Sequence, residues 1–247
     1  MNPEPLPAQP FMESQTDEVL ARRVLQILDR IRRAAERAGR RPETVRLVAA
    51  TKTVPAERIR EGLSAGLSLL GENRTQEALA KVALLRDLSP RWHFIGQLQR
   101  RKVRDAIGTF ELIHSVDSVE LAQEINRRAG DAGVKQAVLL EVNIAGEASK
   151  AGFQPDALMQ DLAILGGLPH LQIQGLMTIP PPTAQPEEAR PHFRALRELG
   201  ARIAAKGISS LVMQEYSMGM SHDFEIAIEE GATLVRVGTA IFGARHV

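Results

Sequence analysis

VRLVAATKTVP, residues 45–55, decides how the rest of the chain is read. It opens as a run of β-branched and small apolar residues, the composition of a strand buried on both faces. It closes on Lys52, just before Pro55 opens a helix. A lysine where a buried strand runs out places a compact amine on the lip of an apolar layer. Partial burial disfavours the ammonium form, so a fraction of free amine is available near neutral pH. Such an amine attacks an aldehyde and forms a Schiff base. A lone lysine more often snorkels to solvent, so the reading depends on what the other strand ends carry.

Working outward, the same strand-then-helix pattern recurs along the chain. Short apolar runs at 45–51, 67–72, 91–96, 112–116, 138–144, 173–179, 211–217 and 234–237 are expected strands. Between them, amphipathic stretches at 55–65, 74–88, 97–107, 118–132, 155–165, 187–206 and 221–230 are expected helices, with Ser118 an N-cap. An earlier helix, 16–39, has Val24, Ile27, Leu28 and Ile31 at helical spacing and a stop at Gly39. Strands alternating with helices imply βαβ units and a parallel sheet. Eight units in 247 residues match a TIM barrel, whose usual size is about 200–250 residues. The expectation is one (β/α)8 TIM barrel domain over 16–247, with an extra N-terminal helix and a Pro-rich disordered tail over 1–15.

Composition excludes several classes. A net charge of +1 gives no case for a nucleic-acid binder. With 0 Cys there are no disulfides and no thiol chemistry, which suits a reducing, cytoplasmic setting. No apolar run approaches the roughly 20 residues of a membrane span, and the start MNPEPLPAQPF lacks the pattern of a secretion signal. HExxH, GxSxG and GxGxxG are absent. Gly238 and Gly243 have Walker spacing, but Ala244-Arg245 replaces the required Lys-Ser/Thr, so a P-loop is excluded.

In a TIM barrel the working residues stand where strands end. Those positions give Lys52, Glu72 with Asn73, Gly96 with Gln97, Ser115 with Asp117, Asn143, Met177 with Thr178, Ser217, and Arg236 with Gly238 and Thr239. Ser217-Met218-Gly219-Met220-Ser221 and Gly238-Thr239 read as an anion cradle at the last two loops, where such barrels often bind phosphate. The plainer reading has Ser221 capping a helix. Arg236, between two valines on a buried strand, demands an acceptor or an ion partner. Asn73 and Gln76 have capping-box spacing, so Asn73 reads first as a cap. The basic run Arg100-Arg101-Lys102 reads as a solvated face, and His93 as core.

Taken together, ATKTVP, LGENRTQEA, WHFIGQLQRRK, VNIAGEASKAGF, GLMTIPP, SMGMSHDFEIAIEEGAT and VRVGTAIFG closely resemble the YggS/PROSC family of pyridoxal 5′-phosphate homeostasis proteins. The resemblance runs from about Thr16 to Gly243. It implies a barrel similar to the N-terminal domain of alanine racemase, with pyridoxal 5′-phosphate (PLP) held as an aldimine on Lys52. It further implies Ser217, Gly238 and Thr239 near the cofactor phosphate and Arg236 near the pyridine nitrogen. The candidate cofactor-binding set is Lys52, Asn73, Met177, Ser217, Met218, Gly219, Arg236, Gly238 and Thr239, with no catalytic residue and no metal assigned. Arg101 and Arg74 depart from the family's usual Asn and Tyr/Phe.

The expected role is a PLP carrier and buffer for apo-enzymes, not a dedicated enzyme. An arginine at the pyridine nitrogen restrains the cofactor as an electron sink. Tyr216 is the 1 tyrosine, and if Ser217 points into the barrel, alternation turns Tyr216 away. The alternatives are a weak PLP-dependent racemase and a cofactor-free Schiff-base aldolase. A monomer is expected, a weak dimer being the other state.

Overall fold

The computed structural model describes residues 11–147 and 149–243, with side chains from residue 18 onward. Eight parallel strands close into a barrel in chain order. They are β1 Arg46–Ala50, β2 Leu69–Glu72, β3 Arg91–Phe94, β4 Leu112–Val116, β5 Gln136–Glu141, β6 Leu171–Met177, β7 Leu211–Ser217 and β8 Leu234–Val237. β8 pairs with β1, Val48 lying opposite Arg236, and this contact completes the circle.

The helices are α1 Phe11–Arg37, α2 Ala56–Ser64, α3 Thr75–Leu84, α4 Val103–Ala106, α5 Val119–Asp131, α6 Pro155–Gly166, α7 Arg190–Ala204, α8 Phe224–Glu229 and α9 Thr239–Phe242. α1 begins at Phe11, so residues 11–15 of the expected tail continue the helix, while residues 1–10 lie outside those described. Its face of Leu20, Val24, Ile27, Ile31, Ala34 and Ala35 is buried against the barrel's outer layer. Arg30 adds a two-pronged ion pair to Glu225, at 3.2 and 2.9 Å, and lies 4.6 Å over the Phe224 ring. α1 is thereby tied to α8, beneath the loop after β7.

Alternation along the strands separates two apolar layers. Val48, Leu69, Ile95, Leu112, Leu139, Met177 and Leu234 fill the interior of the barrel. Ala49, Leu70, Trp92, Phe94, Ile113, Val235 and Val237 face the surrounding helices. Because β1 sends Val48 and Ala50 inward, Lys52 continues on the inward side just past the strand.

Helix starts differ from expectation in three places. Pro55 precedes α2 as its N-cap. α3 opens from Arg74 with no side-chain cap, so the Asn73–Gln76 capping box does not form. α8 opens from Asp223 and not from Ser221. The basic run forms a 3-10 turn, Arg100–Lys102, leading into the four-residue α4. Ser118 does cap α5, accepting from the Leu121 amide at 3.4 Å. Among the described residues, no helix is long and apolar enough to cross a membrane, and no group of acidic, histidine or cysteine side chains has the arrangement to hold a metal ion.

Candidate functional site

A cavity of about 880 Å³ opens at the C-terminal ends of the strands. That lies within the roughly 300–1,000 Å³ typical of small-molecule sites. Lys52, Asn73, Arg236, Gly238 and Thr239 line it, together with Ala50, Ile95, Ile179, Met220, Ser221, His222 and Phe242. Five of the nine residues chosen from the sequence therefore converge on one space. The other four stand behind it. Met177 is part of the barrel's interior layer. Met218 is fully buried in the outer layer. Ser217 holds Arg236, and the Gly219 carbonyl accepts from the Arg236 amide at 3.0 Å.

The turn that carries Lys52 is braced from outside the barrel. Glu72 alternates outward from β2, and its carboxylate accepts from the Lys81 ammonium at 2.7 Å and the Thr51 hydroxyl at 2.6 Å. Lys81 also donates to the Thr51 carbonyl and to Glu77, each at 2.7 Å. Glu77 in turn accepts from the Thr53 amide at 2.7 Å. Thr53 has φ +64°, a left-handed conformation that is unusual for a threonine. Residues on both sides of Lys52 are thus fixed by one buried ion cluster. Burial holds the Glu72 carboxyl above its usual range, and Lys81 and Thr51 only partly offset it.

Asn73 presents a buried Oδ1 with no hydrogen-bond partner among the described residues. Its backbone is pressed against Gly96, where a Cβ would sit 2.5 Å from the Asn73 carbonyl oxygen. That close approach packs the β2 and β3 ends together where Asn73 lines the cavity. An unpaired polar atom at the wall of a cavity is a place for a ligand donor.

Arg236 is the most constrained charge of the site. It is 5% exposed, with Nη2 donating to the Thr178 carbonyl at 3.0 Å and Nη1 to the Ser217 hydroxyl. Burial pushes its pKa down to about 10, so it remains a cation at neutral pH. Glu141, inward from β5, and Asp223 favour that charge from a distance. Burial, then repulsion from Asp117, pushes Glu141 up to about 7. Just beyond Arg236 at the end of β8, Gly238 permits β8 and β1 to meet: a Cβ there would lie 2.9 Å from the Ala50 carbonyl. Ser221, freed from capping, accepts from the Ala240 amide at 3.5 Å, so the loops after β7 and β8 are joined where hydroxyls and amides gather.

Other strand-end residues do structural work. The Asn143 amide bonds the Glu147 backbone in both directions, at 2.8 and 3.2 Å, and so shapes its own loop. Thr178 donates to the Val142 carbonyl at 2.8 Å. Tyr216 faces outward, against Gly200 of α7, as alternation from Ser217 requires. Ile179, His222 and Phe242 were not singled out from the sequence, because nothing local marks a loop residue as lining a cavity closed by other strands.

This fold and this cavity define a closed parallel barrel whose strand ends place an amine and a buried guanidinium on one cavity. The sequence pattern of the family described as "Alanine racemase, N-terminal domain" matches residues 24–246, and the chain belongs to that family. It is 48% identical over 223 residues to the pyridoxal phosphate homeostasis protein of Aquifex aeolicus, covering 90% of this chain and 97% of the relative. The protein of that name from Escherichia coli K12 is 38% identical over 229 residues, covering 92% and 97%. Among solved structures, PipY of Synechococcus elongatus with PLP bound superposes with a TM-score of 0.80 at 39% identity, covering 91% of this chain and 100% of PipY. Alanine racemase of Clostridium difficile superposes with a TM-score of 0.70 at 18% identity over 92% of this chain and 60% of its own, which is a likeness of fold.

Proposed function

We propose that this chain binds pyridoxal 5′-phosphate in the cavity and takes part in PLP homeostasis as a carrier for apo-enzymes. The observation that carries the reading is the convergence of Lys52 and Arg236 on one cavity whose wall also holds the unpaired Asn73 Oδ1. Those groups fit the cofactor: Lys52 is an amine for its aldehyde, and Arg236 is a donor for its ring nitrogen. Ser221, Thr239 and the neighbouring amides are donors for its phosphate. Lys52 would hold the cofactor by condensing with its aldehyde carbon, with loss of water. When bound, the cofactor supplies an electron sink, and an arginine beside the ring nitrogen supports that less than a carboxylate does.

The reading as a non-enzyme is supported by Tyr216, the 1 tyrosine of the chain, which turns its ring to α7 and away from the cavity. A racemase needs a second base on the far side of the substrate, and no tyrosine stands there.

The test is spectroscopic. Purified protein mixed with PLP should develop the absorption band of a protonated Schiff base. Borohydride reduction followed by peptide mass analysis should place the adduct on Lys52, and Lys52→Ala should abolish both. No adduct, or one spread over surface lysines, overturns the proposal. Exchange of an amino-acid α-proton at ordinary enzymatic turnover, lost in Lys52→Ala, would make the chain an enzyme.

A further inference from the structure

Beneath the cavity the barrel interior is not wholly apolar. His93 from β3 and His114 from β4 are both fully buried inside it. His93 Nδ1 lies 2.9 Å from His114 Nε2, and His114 Nδ1 lies 2.8 Å from the Ser217 hydroxyl across the barrel. Ser217 in turn accepts from Arg236. The result is an unbroken chain, His93–His114–Ser217–Arg236, running through β3, β4, β7 and β8 to the cavity wall. Nothing in the binding of a ligand by Arg236 requires two histidines in the core, where aliphatic side chains usually stack.

The direction of the chain follows from counting protons. Arg236 has no lone pair to offer, so it donates to Ser217. The Ser217 hydroxyl proton then needs an acceptor, and the described residues offer His114 Nδ1. His114 is therefore protonated on Nε2 and donates to His93 Nδ1, which leaves His93 protonated on its own Nε2. That far nitrogen has no partner among the described residues. With the opposite polarity, the Ser217 proton would face two donors while His93 Nε2 remained unpartnered. One unpaired group against two decides the polarity. Both rings stay neutral: burial carries His93 down to about 3 and His114 well below the ordinary histidine range.

We propose that His93, His114 and Ser217 form a one-way hydrogen-bond strut that aims the Arg236 guanidinium into the cavity, making the two histidines positioning residues for the ligand's ring. The inference rests on the reading of the cavity as a PLP site. Two of the five guanidinium protons are held, by Ser217 and by Thr178, and the same side chain lines the cavity. Removing the strut leaves the charge in place but lets the plane of the fork rotate. Directional donation to a ring nitrogen would weaken, while the amine at Lys52 would be untouched.

The experiment compares wild type with His114→Phe, which keeps the ring volume without either nitrogen, and His114→Asn, which restores an acceptor near the Nδ1 position. PLP affinity and the absorption maximum of the bound cofactor are measured by titration. The expected result is a dissociation constant raised about tenfold and a displaced absorption maximum in the Phe variant. Both should return to within about twofold of wild type in the Asn variant, with the adduct still on Lys52 in all three. A folded Phe variant with unchanged affinity and absorption overturns the strut alone. A wild-type protein that takes up no PLP overturns the site reading instead. Should the Phe variant fail to fold, nitrogen-15 NMR of wild type decides. Both buried rings should be neutral and protonated on Nε2, and Nδ1 protonation of either overturns the polarity and the proposal.

Discussion

Glu141 shows how much a single residue's setting changes its chemistry. On the sequence it is one glutamate inside the apolar run 138–144, and in the barrel it faces inward with Asp117 as a like charge and Arg236 as the opposite one. Its folded pKa, about 7, stands above the 4.5 of the free side chain. The folded state therefore holds the extra proton between those values, and Glu141 lowers stability as pH rises through that window. Glu141→Gln should remove this dependence, leaving the variant more stable at pH 8 than wild type by up to about 3 kcal/mol, from roughly 1.4 kcal/mol per unit. The two proteins should converge near pH 4.5. The check is urea denaturation at pH 5 and pH 8, read as the difference between the proteins. That difference matters because His93 and His114, with lowered values, work in the other direction and lose stability as pH falls below about 6.5. Parallel profiles would show that Glu141 ionises freely. The same scale explains a limit of reading by sequence: Asn73 and Gln76 have capping spacing, yet the packing of Gly96 on the Asn73 backbone leaves the amide at the cavity wall.

At the scale of elements, the β1–α2 turn depends on α3. Lys81 is 7% exposed and reaches Thr51, Glu72 and Glu77 from the helix. Lys81→Met leaves the fully buried Glu72 without its ammonium, a change that costs about 3–5 kcal/mol. At about 2–4 °C per kcal/mol for a chain of this size, Tm should fall by roughly 10 °C. Adding Glu72→Gln should recover more than half of the loss, because the uncompensated charge is then gone. Thermal denaturation of the single and double variants measures this, and an additive double variant would mean that the pair is not coupled. Element boundaries follow the same logic. The strands at 112–116, 211–217 and 234–237 stand where the apolar runs place them. The helix drawn over 74–88 ends at Leu84, and the one over 221–230 begins at Phe224. Helix periodicity marks the middle of an element better than its ends, since caps depend on which backbone groups the neighbours leave unpaired.

For the whole molecule, a cavity between strand ends links ligand binding to global stability. A ligand that binds only the folded chain at a hundredfold over its dissociation constant stabilises by about 2.7 kcal/mol. Saturating PLP should raise Tm by about 5–10 °C on the same scale, rising with concentration, and by distinctly less in Lys52→Ala. Differential scanning fluorimetry provides the measurement. A Tm indifferent to PLP in wild type would be incompatible with the site proposed. The effect is global because β1 and β8, which carry Lys52 and Arg236, are also the strands that close the barrel.

By itself, the sequence determined the barrel, the place of Lys52 at the end of β1, the opposite facing of Ser217 and Tyr216, and the burial of Arg236. These follow from short apolar strands recurring between amphipathic helices and, for Ser217 and Tyr216, from the two-residue period of a strand, local patterns that survive folding unchanged. Only the tertiary structure decided which strand-end residues share a space. It placed Met177 in the interior layer, Ser217 as the support of Arg236, and Glu72 as the brace behind Lys52. It also decided that His93 and His114 meet, since their contact spans two strands and continues to a third 103 residues further on. Periodicity tells which face a side chain takes; distance across a closed barrel depends on register, tilt and bulges, and those are set by all eight strands at once.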